Sequence, residues 1–110
     1  MAFSTTLEIE DTTATITLNG ELDASTAPDF KAEIERASAK KVKSLVLMME
    51  NLDYMASAGL RVLIYTKQKM GADTDIYVVK PQEMVLETLE KTGFDQSVIV
   101  VDHPPQIEKV

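Results

Sequence analysis

The chain has 110 residues, 45% hydrophobic and 26% charged, with a formal net charge of −7 and no cysteine. That length and composition suit a single domain able to bury a core. The acidity argues against nucleic acid or an anionic membrane as a partner, since both need a basic face, and the missing cysteine excludes a disulfide framework, a thiolate metal site and a thiol nucleophile.

Leu7 and Ile9 alternate with Glu8 and Glu10; Ala14, Ile16 and Leu18 alternate with Thr15 and Thr17. Two period-2 segments around a polar Asp11-Thr12 break predict a half-buried antiparallel hairpin. Gly20-Glu21-Leu22-Asp23 then reads as a loop with two carboxylates around an exposed leucine. Ser25 or Thr26 is placed to cap a first helix, with Pro28 in its first turn and Asp29 near its positive end. Ala27, Phe30, Ile34 and Ala37 form its buried stripe, and Lys31, Glu33, Glu35 and Arg36 point outward. Lys40, Lys41 and Lys43 make a basic connector whose default account is a solvated surface.

Leu45–Met49 is a continuous apolar run, as in a central strand covered on both faces. The following stretch turns helical, with Leu60, Leu63, Ile64 and Lys67 at helical spacing. Lys67 and Lys69 lie near its negative end, and Gly71 is placed to stop it. Ile76–Val79 is a second buried strand. Lys80-Pro81 opens a third helix whose apolar side is Met84, Val85, Leu86 and Leu89. Gly93 suits the position just past that helix, with Phe94 folding back on its end. Val98–Val101 is a last strand, and residues 102–110, with a Pro104-Pro105 pair, are expected to be a frayed tail.

The order β-β-α-β-α-β-α-β predicts the α/β class: one domain over residues 1–110, its core at about 6–101. The sheet is mixed but mostly parallel, with about five strands, an N-terminal hairpin and three to four helices packed on it. No apolar run reaches membrane-span length, and Met1–Thr6 lacks the pattern of a secretory signal.

Chemistry-bearing motifs are sparse. The chain has neither a phosphate-cradling Gly-Lys-Ser/Thr loop nor a Gly-x-Gly-x-x-Gly turn. Its single histidine, His103, lies in the tail, so no Ser-His-Asp set and no ordinary zinc site can be assembled. Glu21, Asp23, Glu50 and Asp53 could gather around a divalent cation, but their spacing matches no ion-binding loop. No catalytic residue, metal or cofactor is expected.

The informative feature is Ala56-Ser57-Ala58-Gly59, a run of tiny side chains between strand and helix. A serine opening a helix is ordinarily a cap for the free N–H groups there. The same place favours an anion, so the hydroxyl could also carry a phosphate without wrecking the fold. Spacing alone leaves both readings open.

Three segments resemble the STAS domain family of anti-sigma factor antagonists. Gly20-Glu-Leu-Asp-Ala-Ser-Thr-Ala-Pro28 is similar to the family's loop and first-helix start. Leu52-Asp-Tyr-Met-Ala-Ser-Ala-Gly-Leu60 is similar to its phosphoserine motif, and Thr92-Gly93-Phe94 to its third-helix ending. The likeness runs from about residue 6 to residue 101 and agrees with the element order. It implies a small cytoplasmic regulator, not an enzyme. In its unphosphorylated form it would bind an anti-sigma factor with serine-kinase activity and so release the sigma factor. Ser57 would be the phosphoacceptor, and a PP2C-type phosphatase would reverse the modification. The implied binding patch is Leu22, Asp23, Tyr54, Met55, Ser57, Ala58, Gly59 and Arg61, with Met55 read as an exposed, adaptable contact. Tyr54 packing at the strand end and Arg61 as a solvated helix residue are the ordinary alternatives. Two positions depart from the family pattern: Ala56, where Asp or Ser is common, and Met48, where the strand often carries Asp. The last helix is also curtailed at Pro104-Pro105. These departures motivate an alternative, a STAS-type subunit of a membrane-associated or lipid-transport complex without a phosphorylation cycle. A third reading, a small-molecule or nucleotide-binding domain, predicts ligand-dependent melting.

Overall fold

In the computed structural model, which describes residues 3–105, the N-terminal alternation becomes a hairpin. Strands β1 (Ser4–Glu10) and β2 (Thr13–Leu22) pair antiparallel with Leu7 opposite Ile16. Asp11, at the turn, takes a φ of 54°, a left-handed conformation that a short polar side chain tolerates. The chain continues as α1 (Ala27–Ser38), β3 (Ser44–Met55), α2 (Ser57–Met70), β4 (Asp75–Val79), α3 (Glu83–Thr92), one 3₁₀ turn (Phe94–Ser97) and β5 (Ile99–Val101). The strands lie side by side as β1-β2-β3-β4-β5, with every pair after the hairpin parallel.

Each parallel pair is joined by a helical crossover to the next strand in the same direction. Right-handed crossovers then place the helices on one face of the sheet. The buried cluster agrees. Alternate strand residues Ile16, Leu18, Leu45, Leu47, Ile76 and Val78 join Phe30, Ile34, Val62, Leu63, Val85 and Leu89 from the helices. Lys31 of α1 sits 4.6 Å from the ring centre of Tyr65 on α2, a cation–π contact between adjacent helices.

Several sequence expectations are corrected. β3 is twelve residues long and continues past Met49 to Met55, because its far half keeps pairing with β2 alone. Gly20–Leu22 is strand, not loop. The buried side of α2 is Gly59, Val62, Leu63 and Thr66, and Ile64 is surface. Glu33 turns inward rather than outward and bonds Arg36 at 3.1 Å. α3 starts at Glu83, after Lys80 takes a φ of 49° and Pro81 extends the loop; Met84 is exposed. Gly93, with φ 75° and ψ 2°, ends α3 in the left-handed conformation, and Phe94 is buried beneath it. The expected tail is described as far as Pro105; the remainder of it, and the curtailed last helix, lie outside the described residues.

Candidate functional site

The site is built where β2 and β3 outrun the rest of the sheet. β3 pairs with β4 only as far as Met48–Val79. Its pairing with β2 carries on to Leu22–Met55, through register shifts at Thr17/Asn19 and Gly20/Glu21. Such irregularities sharpen the local twist and swing strand ends away from the sheet plane. A further bond, Ala56 N–H to the Leu22 carbonyl at 2.8 Å, ties the end of β2 to the residue that opens α2. The Asp23 loop and the start of α2 are therefore neighbours.

Ala56, extended at φ −83° and ψ 173°, is the N-cap of α2, and Ser57 is the first helical residue. The N–H groups of Gly59 and Leu60 bond the Ala56 carbonyl, leaving those of Ser57 and Ala58 outside the helical ladder. The Ser57 side chain is exposed and makes no capping hydrogen bond. The reading of Ser57 as an ordinary N-cap is thus corrected: a methyl occupies the cap position and the hydroxyl faces solvent.

Leu22 and Met55 are also corrected. Both are buried, at 0% and 4% exposure, so neither is a surface contact. They form the floor on which α2 rests. Gly59 is buried against that floor, and a Cβ there would lie 2.7 Å from Leu22 Cγ and Cδ2 and 2.9 Å from Met55 Cγ. The residues of the expected patch that reach the surface are Tyr54, Ser57 and Arg61, with Asp23 and Ala58 half-buried at its rim. Ile64, 41% exposed, was missed. It lies seven residues after Ser57 and three after Arg61, on the same side of the helix, whereas the sequence spacing groups it with Leu60, Leu63 and Lys67.

Asp23 is held by its own loop. Its Oδ1 accepts from the Ser25 hydroxyl at 2.7 Å, the Ser25 N–H at 2.9 Å and the Thr26 N–H at 3.2 Å. The Thr26 hydroxyl accepts from the Asp23 N–H at 2.8 Å and donates to the Glu21 carbonyl at 2.9 Å. The Ser25 hydroxyl bond, with help from the backbone and Thr26, holds the Asp23 carboxyl below the ordinary aspartate range. A depressed folded value means the carboxylate's contribution is full above the ordinary aspartate range and is lost as pH falls through the lowered value. Acidification is therefore expected to lower the amide protection of Ser25 and Thr26, relative to their intrinsic exchange at each pH, only below the ordinary aspartate range, and an Asp23→Ala variant, which lacks the accepting oxygen, to show low protection at neutral pH as well. Low protection in the wild type at neutral pH would contradict this account.

A contact absent from the sequence reading ties α3 to the same region. The Gln82 amide donates to the Glu50 carbonyl at 2.8 Å and to Asp53 Oδ1 at 3.2 Å. Nothing in the periodicity of either segment signals it. Glu21, Asp23, Glu50 and Asp53 do not converge: among the described residues no three acidic or imidazole groups come together as ligands. No helix there is long and apolar enough to cross a membrane.

A sequence model of the STAS domain matches residues 4–107. The chain belongs to the STAS domain family. This STAS domain is 32% identical over 78 residues to BtrV of Bordetella bronchiseptica, described as a candidate anti-sigma factor antagonist, covering 70% of the chain and 67% of that protein. It is 25% identical over 84 residues to the anti-sigma-F factor antagonist RsfB of Mycobacterium tuberculosis, covering 76% of the chain and 69% of its relative. Among solved structures it matches an anti-sigma factor antagonist from Mycobacterium paratuberculosis at a TM-score of 0.85 and 25% identity, over 93% of this chain and 87% of that one.

Proposed function

We propose that this STAS domain is an anti-sigma factor antagonist: a cytoplasmic binding module, not an enzyme. Its unphosphorylated form engages an anti-sigma factor that is also a serine kinase, through the surface around Ser57, and so releases the sigma factor. Phosphate on Ser57 ends the complex, and a PP2C-type phosphatase restores it. The observation that carries this reading is the Ser57 hydroxyl, exposed and uncapped at the first position of α2.

Three things support it. Ser57 stands on a rigid base, with the first turn of α2 seated on Leu22 and Met55. A substrate serine must be offered in fixed geometry, and sites on rigid elements are the ones held within tenths of an ångström. Tyr54 and Arg61, side-chain types that often dominate interface energy, flank it at the surface. The names of the relatives supply the class of partner. Phosphate on Ser57 would add about −1.5 to −2 charge and bulk at a contact of small side chains, Ser57, Ala58 and Gly59, opposing close approach and any acidic group on the partner.

The alternative of a STAS subunit without a phosphorylation cycle draws on Ala56, whose methyl puts no polar group beside the hydroxyl. One experiment separates the two. The protein is incubated with the serine-kinase anti-sigma factor encoded in the same genome and ATP, and phosphate is mapped by mass spectrometry. A single phosphate on Ser57 supports the switch; none there, with binding to that kinase unchanged by a charge at position 57, leaves the alternative.

A further inference from the structure

The opposite end of α2 holds a feature that this function does not use. A cavity of about 310 Å³ opens between the α1–β3 and α2–β4 connections. Three lysines line it, Lys41, Lys43 and Lys69, with one carboxylate, Asp73, and an apolar wall from Val42 and Met70. Among the described residues none of these four charged groups forms an ion pair.

Charge balance decides what the cavity favours. Helices α1 and α2 both end beside it, and each C-terminus counts as about half a negative charge. Together with Asp73 they offset roughly two of the three ammonium groups. One positive charge is left over, in a protein whose formal net charge is −7. The size of the cavity is at the small end of ligand sites, which combine apolar walls with a few polar anchors.

The geometry points to a second binding site, for a small soluble phosphate monoester: the lysines take the phosphate, and Val42 and Met70 the organic part. Ammonium groups bind phosphate as point charges without demanding a fixed fork. A phospholipid headgroup is the poorer occupant, because the acidity of the whole molecule opposes approach to an anionic membrane. The fourteen residues of α2 put this site about 20 Å from Ser57, so its failure and that of the phosphorylation switch are read separately.

Titrating the nitrogen-labelled full chain with phenyl phosphate tests it, with phenol as the uncharged control. Amide signals of residues 38–43 and 69–74 are expected to shift saturably, with a midpoint of about 1 mM, and phenol to leave them in place. Lys43→Gln/Lys69→Gln is expected to raise the midpoint about tenfold with no change in melting temperature, both side chains being at the surface. Absence of saturation by about 20 mM, an equal midpoint in the double variant, equal shifts with phenol, or shifts confined to residues 56–61 would each overturn the assignment.

Discussion

Gly59→Val is expected to unfold this domain at a temperature lower by roughly 10–20 °C, a loss of about 3 kcal/mol. The reason is local and steric. Even a single Cβ at position 59 would stand 2.7 Å from two atoms of Leu22 and 2.9 Å from Met55. Leu22 has no exposed surface into which it could swing. Forcing extra carbons into a filled core costs about 1–3 kcal/mol. Against this, replacing glycine inside a helix gains up to about 1 kcal/mol of propensity. For Gly59→Ala the two terms partly cancel, leaving a net loss of about 0–2 kcal/mol. Valine brings two further methyls and less propensity gain, so the steric term wins clearly. The partner in the clash is identifiable by a second substitution. Leu22→Ala alone opens a cavity and costs about 2–5 kcal/mol, but in the Gly59→Val background part of that loss should be recovered. The pair should fall short of additivity by about 1 kcal/mol or more in urea unfolding. A Gly59→Val protein as stable as the wild type would mean α2 is not seated on Leu22.

The second large effect concerns binding and runs opposite to stability. Ser57→Asp should leave the melting temperature unchanged or slightly raised. The hydroxyl it replaces makes no capping bond, and a carboxylate in the first turn of a helix gains about 0.3–1 kcal/mol. The same variant should bind the anti-sigma partner about 100-fold more weakly, equivalent to about 2.7 kcal/mol. A misplaced charge within an interface costs several kcal/mol when it is desolvated or meets its like. Ser57→Asn is the neutral control of similar size. If charge is the agent, asparagine keeps most of the affinity, and if bulk is the agent, it loses as much as aspartate. Calorimetric titration of the three proteins against the partner distinguishes these outcomes. Equal affinity for all three would remove the basis for the switch.

Much of this arrangement was legible in the residues, and the misses share a cause. The hairpin and the helices follow from local period, the short strand β4 from a continuous apolar run, and the sheet's mixed character from the element order. β3 was read short because Glu50, Asn51, Asp53 and Tyr54 interrupt its apolar run. In the fold that half of the strand has only β2 beside it, so polar side chains are tolerated while Leu52 and Met55 still face inward. Gly20-Glu21-Leu22-Asp23 reads as a loop with two carboxylates around one leucine. Yet Leu18, Gly20 and Leu22 are successive inward positions of one strand, all buried. Hydrophobic pattern gives glycine no weight in placing the buried face of α2, whereas Gly59 packs so tightly on Leu22 and Met55 that a Cβ there would lie within 3 Å of both. The one-residue shift of the cap from Ser57 to Ala56 is decided by the Ala56–Leu22 backbone bond, a long-range contact that no propensity encodes. The family resemblance singles out Ser57; the fold adds that its side chain is exposed and makes no capping hydrogen bond.

The sheet runs β1 through β5 in the same order as the chain itself. No strand has to be inserted between two that have already paired, and no segment has to wait for a distant one. As the polypeptide leaves the ribosome, the hairpin can close first and each later helix–strand unit can add to a growing edge. Domains commonly acquire structure from the N-terminal side during synthesis, and this topology suits assembly by accretion, with β5 the last strand to be laid down.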